Sequence, residues 1–213
     1  MISHQKKFIF IHMPKTGGNS IQGYLTNYSQ DKIVLKNKLH DGVETFEVSN
    51  TNYMLSKHAT LSKYKKYLGG SFYSYFKFGV IRNPWDMMIS MYFSPHSGRS
   101  EWNRNEFINL LMKTRSLSYY FYPNDILNRI MLRYRIHKKN ALSFLDYVIR
   151  FENLQDDFNN VCDLLSIPRT QLSIRNKSTR QHYSKYYDEE LVSLVSMHFH
   201  QAIELGSYHF ENV

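Results

Sequence analysis

Twice in this chain a short run of β-favouring apolar residues stops at a polar turn and passes directly into a helical pattern, and this repeated theme narrows the fold more than any other feature. In the first unit residues 7–12 (KFIFIH) predict a strand, Pro14 with Gly17 and Gly18 interrupts it, and the pattern through Ile21 and Leu25 predicts a helix. In the second, residues 75–81 (YFKFGVI) predict a strand that ends at Arg82-Asn83-Pro84, with a helix over 85–93 and Pro84 near its first turn. Further strands are expected over 43–48, 53–57 and 144–151, and further helices over 60–68, 105–113, 153–165 and 188–205. Strands alternating with helices imply an α/β fold: a three-layer α/β/α arrangement with a central parallel sheet.

The 213 residues suit one domain over 1–213, and no internal repeat or low-complexity linker divides them. Cys162, the single cysteine, lies in an apolar helical pattern and reads as a small core hydrophobe. The apolar run 8–11 is far shorter than a signal-peptide core, and no segment approaches the roughly 20 apolar residues of a membrane span, so a soluble, cytoplasmic protein is expected. The formal charge of +9 favours anionic ligands, and 17 tyrosines suit stacking on sugars or bases. Charge and aromatics do not choose between a nucleotide, an acidic glycan and RNA.

The two turns carry the chemistry. Pro14-Lys15-Thr16-Gly17-Gly18-Asn19-Ser20 sits between strand and helix, where glycines allow close backbone approach, the helix start offers unpaired N–H groups, and Lys15, Thr16 and Ser20 add a cation and hydroxyls. It departs from the nucleotide triphosphatase loop because its lysine precedes the glycines. In the second unit a strand tip delivers Arg82, whose fork of donors suits a phosphate dianion, and Ser90 follows about two turns into the helix. Arg82 equally suits an ion pair with Asp86 at the helix start.

Together the segments FIHMPKTGGNSI, FKFGVIRNPWDMMISMYF, RFENL and YYDEELVSLV resemble the sulfotransferases of the heparan-sulfate 2-O-sulfotransferase and bacterial small-sulfotransferase type. That resemblance implies a P-loop-like fold and transfer of the sulfuryl group of 3′-phosphoadenosine 5′-phosphosulfate (PAPS) to a hydroxyl or amine, with release of 3′-phosphoadenosine 5′-phosphate (PAP). It implies that Lys15, Thr16, Gly17, Gly18, Asn19 and Ser20 hold the 5′ end of the donor, and that Arg82 and Ser90 hold its 3′-phosphate. A late basic loop often covers the donor in such enzymes, which singles out Lys177, Ser178 and Arg180; a solvated charged loop is the plainer reading.

Sulfuryl transfer needs a proton acceptor on one side of the sulfur and positive charge on the other. His58, between the strand over 53–57 and the helix over 60–68, is the expected base, and the Lys57-His58 pair matches the resemblance. Lys15 is the expected electrostatic catalyst, and His12, a lesser candidate for the base, is expected to be structural or to lie beside the donor. No metal is expected: His198 and His200, two apart, fall on different helix faces, and Cys162 has no companion. Glu152 and Asn153 read as helix-start residues. Arg99, Arg104, Lys113 and Arg115 suit an acidic or carbohydrate acceptor. Two rivals remain, a P-loop-type phosphotransferase and a basic RNA-binding module. The misplaced lysine counts against the first, and the absence of an RNP-type pattern, with no nucleic-acid partner expected, against the second.

Overall fold

Phe8, Ile9, Phe10 and Ile11 are all fully buried, with alternate side chains entering different cores, as a strand covered on both faces requires. The computed structural model describes residues 1–34, 45–48, 54–123, 141–173 and 180–213. Its strands are β1 (Ile2–Ser3), β2 (Phe8–Ile11), β3 (Asp31–Val34), β4 (Thr45–Val48), β5 (Met54–Ser56), β6 (Phe76–Ile81) and β7 (Tyr147–Arg150). The helices are α1 (Gly18–Leu25), α2 (Leu61–Leu68), α3 (Pro84–Tyr92), α4 (Arg104–Lys113), α5 (Leu117–Phe121), α6 (Leu154–Leu164), α7 (Glu189–His198) and α8 (His200–Gly206).

The main sheet has the order β1-β2-β6-β7, with β2, β6 and β7 parallel and β1 an antiparallel edge. Phe8, Phe10, Phe78, Val80 and Ile149 face a core closed by α1 and α6, where Cys162 is also fully buried. Ile9, Ile11 and Ile81 face the larger core of α2, α3, α4, α5, α7 and α8. This is the expected three-layer α/β/α arrangement. Gly79 makes the second face possible: a Cβ there would stand 2.5 Å from Phe121 Cε1, so glycine lets the ring of α5 lie on the sheet.

Two expectations need correction. The strands expected over 43–48 and 53–57 form as β4 and β5, but they join β3 in a separate antiparallel sheet, order β3-β4-β5. Residues 49–53 are too few for the crossover a parallel pair needs, which leaves only an antiparallel return. The single helix over 188–205 is divided at Phe199 (φ −114°, ψ 24°). His198 Nε2 bonds the Thr114 carbonyl at 2.8 Å, and the next side chain, Phe199, is buried. Successive positions of a straight helix point about 100° apart, so the backbone turns to hold both inward.

Candidate active site

Register places the functional turns side by side. Ile11 pairs with Gly79, and Ile81 with Arg150, so the chain leaving β2, β6 and β7 presents Lys15, Arg82 and Phe151 at one end of the sheet. Ligand sites of open α/β sheets form at these carboxyl ends.

The first turn is shaped by unusual backbone. Lys15 (φ 63°) and Gly17 (φ 79°) are both left-handed, a conformation costly for lysine and an ingredient of anion-binding backbone concavities. Gly18 cannot carry a side chain, because a Cβ would lie 2.2 Å from the His12 ring. The Thr16 hydroxyl donates to the Met13 carbonyl at 2.8 Å and so braces the loop itself. Ser20 is buried in the first turn of α1, and Asn19 precedes it there. That turn holds no acidic residue to neutralise the positive helix end.

The second turn meets the first. Arg82 donates from Nη1 to the Lys15 carbonyl at 2.7 Å, and from Nε and Nη2 to Asp86 Oδ2 at 2.9 and 2.5 Å. Arg180 reaches the other oxygen of Asp86. Burial pushes the Asp86 carboxyl up, but the two guanidiniums outweigh it and hold it below the usual carboxylate range. Asn83 caps α3 by accepting from the N–H groups of Trp85 and Asp86, with Pro84 at the first helical position. Ser90, buried on α3, follows Asp86 by one turn on the same helix face.

The histidines converge on the end of β2. His58 Nδ1–H donates to the His12 carbonyl at 2.8 Å, and the two rings meet edge to face with centroids 4.6 Å apart. A carbonyl only accepts, so this bond places the proton of a neutral His58 ring on Nδ1 and makes Nε2 its basic nitrogen. The His12 ring bonds Gln22 Oε1 at 3.0 Å through Nδ1. Burial first, then His58 and Lys57, hold His12 well below the ordinary histidine value, so it stays neutral beside the loop.

The sulfotransferase family model matches residues 1–202, nearly the whole chain, and spans both turns, the His58 segment and α7. The chain belongs to the sulfotransferase family. No curated protein and no solved structure matches it.

In this sulfotransferase the structure brings Lys15, Arg82, Arg180 and Asp86 together, with His58 anchored to the strand that feeds the loop. Lys177 and Ser178 lie outside the described residues. Arg99 and Arg104 of the expected acceptor region are engaged by acids: Arg99 by Glu106 at 2.9 Å, and Arg104 by Asp188 at 2.9 Å and by Glu190. Their charge is thus partly neutralised. Among the described residues no group of three or more His, Cys, Asp or Glu side chains could hold a metal ion, and no helix is long and apolar enough to cross a membrane.

The expected Arg82–Asp86 ion pair forms, but that Asp86 also engages Arg180 escaped the sequence reading, as did the contacts of Phe151 and Glu152. Phe151 stacks on Arg82, with the guanidinium carbon 3.8 Å from the ring centroid. Glu152, read as a helix-start residue, does stand in the first turn of the short helix Phe151–Asn153, and it also accepts from the Asn83 N–H at 2.7 Å and from the Tyr208 hydroxyl at 2.9 Å, pinning the β6–α3 turn to the C-terminal segment. The RFENL motif was visible, but nothing local showed what it touches.

Lys15 supplies a pH test. Burial, then Arg82, Arg180 and Lys57, push its ammonium down to about 8. As pH rises through that value Lys15 loses its charge, so affinity for a phosphorylated ligand should fall about tenfold between pH 7 and 9. Calorimetric titration of PAP across this range should show the fall, and Lys15→Met should flatten it.

Proposed function

We propose that this chain is a single-domain, PAPS-dependent sulfotransferase that uses His58 as base and Lys15 to stabilise the departing phosphate. The observation that carries the reading is the junction of two anion cradles: the Gly17-Gly18 loop at the start of α1, and Arg82, bonded to that loop at the Lys15 carbonyl. A nucleoside triphosphate needs one phosphate cradle and a metal ion; a bisphosphorylated adenosine needs two cradles. Asp86 is engaged by two guanidiniums, and Glu152 by the Asn83 N–H and the Tyr208 hydroxyl, so these carboxylates serve to position the turn and its cations rather than to hold magnesium.

The residues fit the donor. Left-handed Lys15 and Gly17 and the bare Cα of Gly18 allow the 5′-phosphosulfate close to the backbone, while Arg82 and Ser90 suit the 3′-phosphate. The acceptor oxygen forms a bond to sulfur as the bond between sulfur and the 5′-phosphate oxygen breaks. The acceptor proton passes to His58 Nε2, and the electron pair of the broken bond stays on the phosphate beside Lys15. The acceptor is a hydroxyl or amine, and a carbohydrate, which the basic charge and the tyrosines suit without singling out, is the first class to test.

Titration of the purified protein with PAP and with ATP, each with and without magnesium, tests the class of ligand. PAP should bind at least about tenfold more tightly than ATP, regardless of magnesium, because only PAP fills both cradles. Preference for ATP in the presence of magnesium would overturn the reading. Incubation with radiolabelled PAPS and a panel of glycans, phenols, lipids and peptides then identifies the acceptor.

A further inference from the structure

Phe151 touches both halves of the anion site. Arg150 pairs with Ile81, so the next residue of each strand, Phe151 and Arg82, stand together past the strand tips. The Arg82 guanidinium carbon stands over the ring, 3.8 Å from its centroid. On the other side, a Cβ on Gly17 would sit 3.1 Å from Phe151 Cδ2 and 2.9 Å from Leu154 Cδ2, so the loop rests directly against this segment. Arg82 closes the circuit by donating to the Lys15 carbonyl at 2.7 Å. Loop, aromatic ring and guanidinium therefore brace one another.

Resting on the reading that the site holds a bisphosphorylated adenosine, we propose that Phe151 is a positioning residue that fixes the gap between the loop and Arg82 and so makes the site select nucleotides phosphorylated at both the 5′ and 3′ positions. The physical basis is its shape and stiffness. A phenyl ring has two torsions and does not compress, so it holds its neighbours at a set spacing. The ring covers the face of the guanidinium, so phosphate oxygens approach its edge, where Asp86 and the Lys15 carbonyl take three N–H groups and one on Nη1 and one on Nη2 remain to donate. Asp86 holds the same guanidinium through Nε and Nη2 but sets no distance to Gly17.

The test compares PAP with adenosine 5′-monophosphate by calorimetry on the wild type and on Phe151→Ala, Phe151→Leu and Phe151→Tyr. The ratio of the two affinities should fall about tenfold in Phe151→Ala and Phe151→Leu, while monophosphate affinity stays within about twofold, and Phe151→Tyr should keep the wild-type ratio. Phe151→Leu serves if the alanine variant fails to fold. Equal losses for both nucleotides would show general packing alone and overturn the proposal, as would an unchanged ratio in folded Phe151→Leu. A wild type that binds neither nucleotide overturns the donor reading and this proposal together; a wild type with the preference, retained in the variants, overturns this proposal alone.

Discussion

Replacing His58 with alanine should lower the rate of sulfuryl transfer by about 10²- to 10⁴-fold while leaving PAP affinity within about twofold of the wild type. The split follows from where His58 is held. Its Nδ1–H is bonded to the carbonyl of His12 at the end of β2, which fixes the ring and leaves Nε2 as the basic nitrogen of the neutral imidazole. Its edge contact is with the neutral His12 ring, so no second positive charge at His12 opposes proton uptake. The groups proposed to bind phosphate lie on the loop and on Arg82, so deleting the imidazole would remove the proposed proton acceptor without touching the proposed anchors of the donor. Turnover of radiolabelled PAPS with the best acceptor from the panel, beside PAP calorimetry, measures both quantities. Full turnover in His58→Ala would remove His58 from the mechanism.

Arg82→Ala should weaken PAP binding by roughly 10- to 100-fold and leave the monophosphate nearly unaffected, the range expected for losing a charge-assisted phosphate contact. Arg82→Lys should restore little, because an ammonium lacks the planar fork that stacks on Phe151 and bonds Asp86 at the same time. Asp86 keeps Arg180 as a partner, so the variant does not strand a buried carboxylate. A second readout follows from Lys15. Arg82 is one of the cations that push its ammonium down, so removing Arg82 should move the fall in PAP affinity to higher pH. If PAP and the monophosphate weaken equally, Arg82 holds the loop together rather than binding the 3′-phosphate.

How much was legible in the residues differs from one part of the site to another. The β2 loop was readable because its message is local: a buried apolar run, a proline, two glycines and a helical pattern occupy consecutive positions, and the structure forms strand, left-handed turn and α1 in that order. Asn83-Pro84 was readable for the same reason, as a cap followed by the residue suited to the first helical position. The central strands were recognisable because burial on both faces demands an unbroken apolar run. The small antiparallel sheet was only partly legible: the strands over 43–48 and 53–57 were expected and β3 was not, and apolar alternation marks a strand without naming its neighbour.

The sequence by itself determined the units: two strand-turn-helix segments, each with a cationic side chain at the turn, in a chain able to bury a core on both sides of a sheet. Tertiary structure alone decided how those units meet. Arg180 reaches Asp86 across 94 positions, Glu152 reaches the Asn83 N–H across 69, and Arg82 reaches the Lys15 carbonyl across 67. Such contacts leave no local pattern, because they depend on the order and register in which strands pair, and that is set by the summed burial of both sheet faces rather than by any one segment.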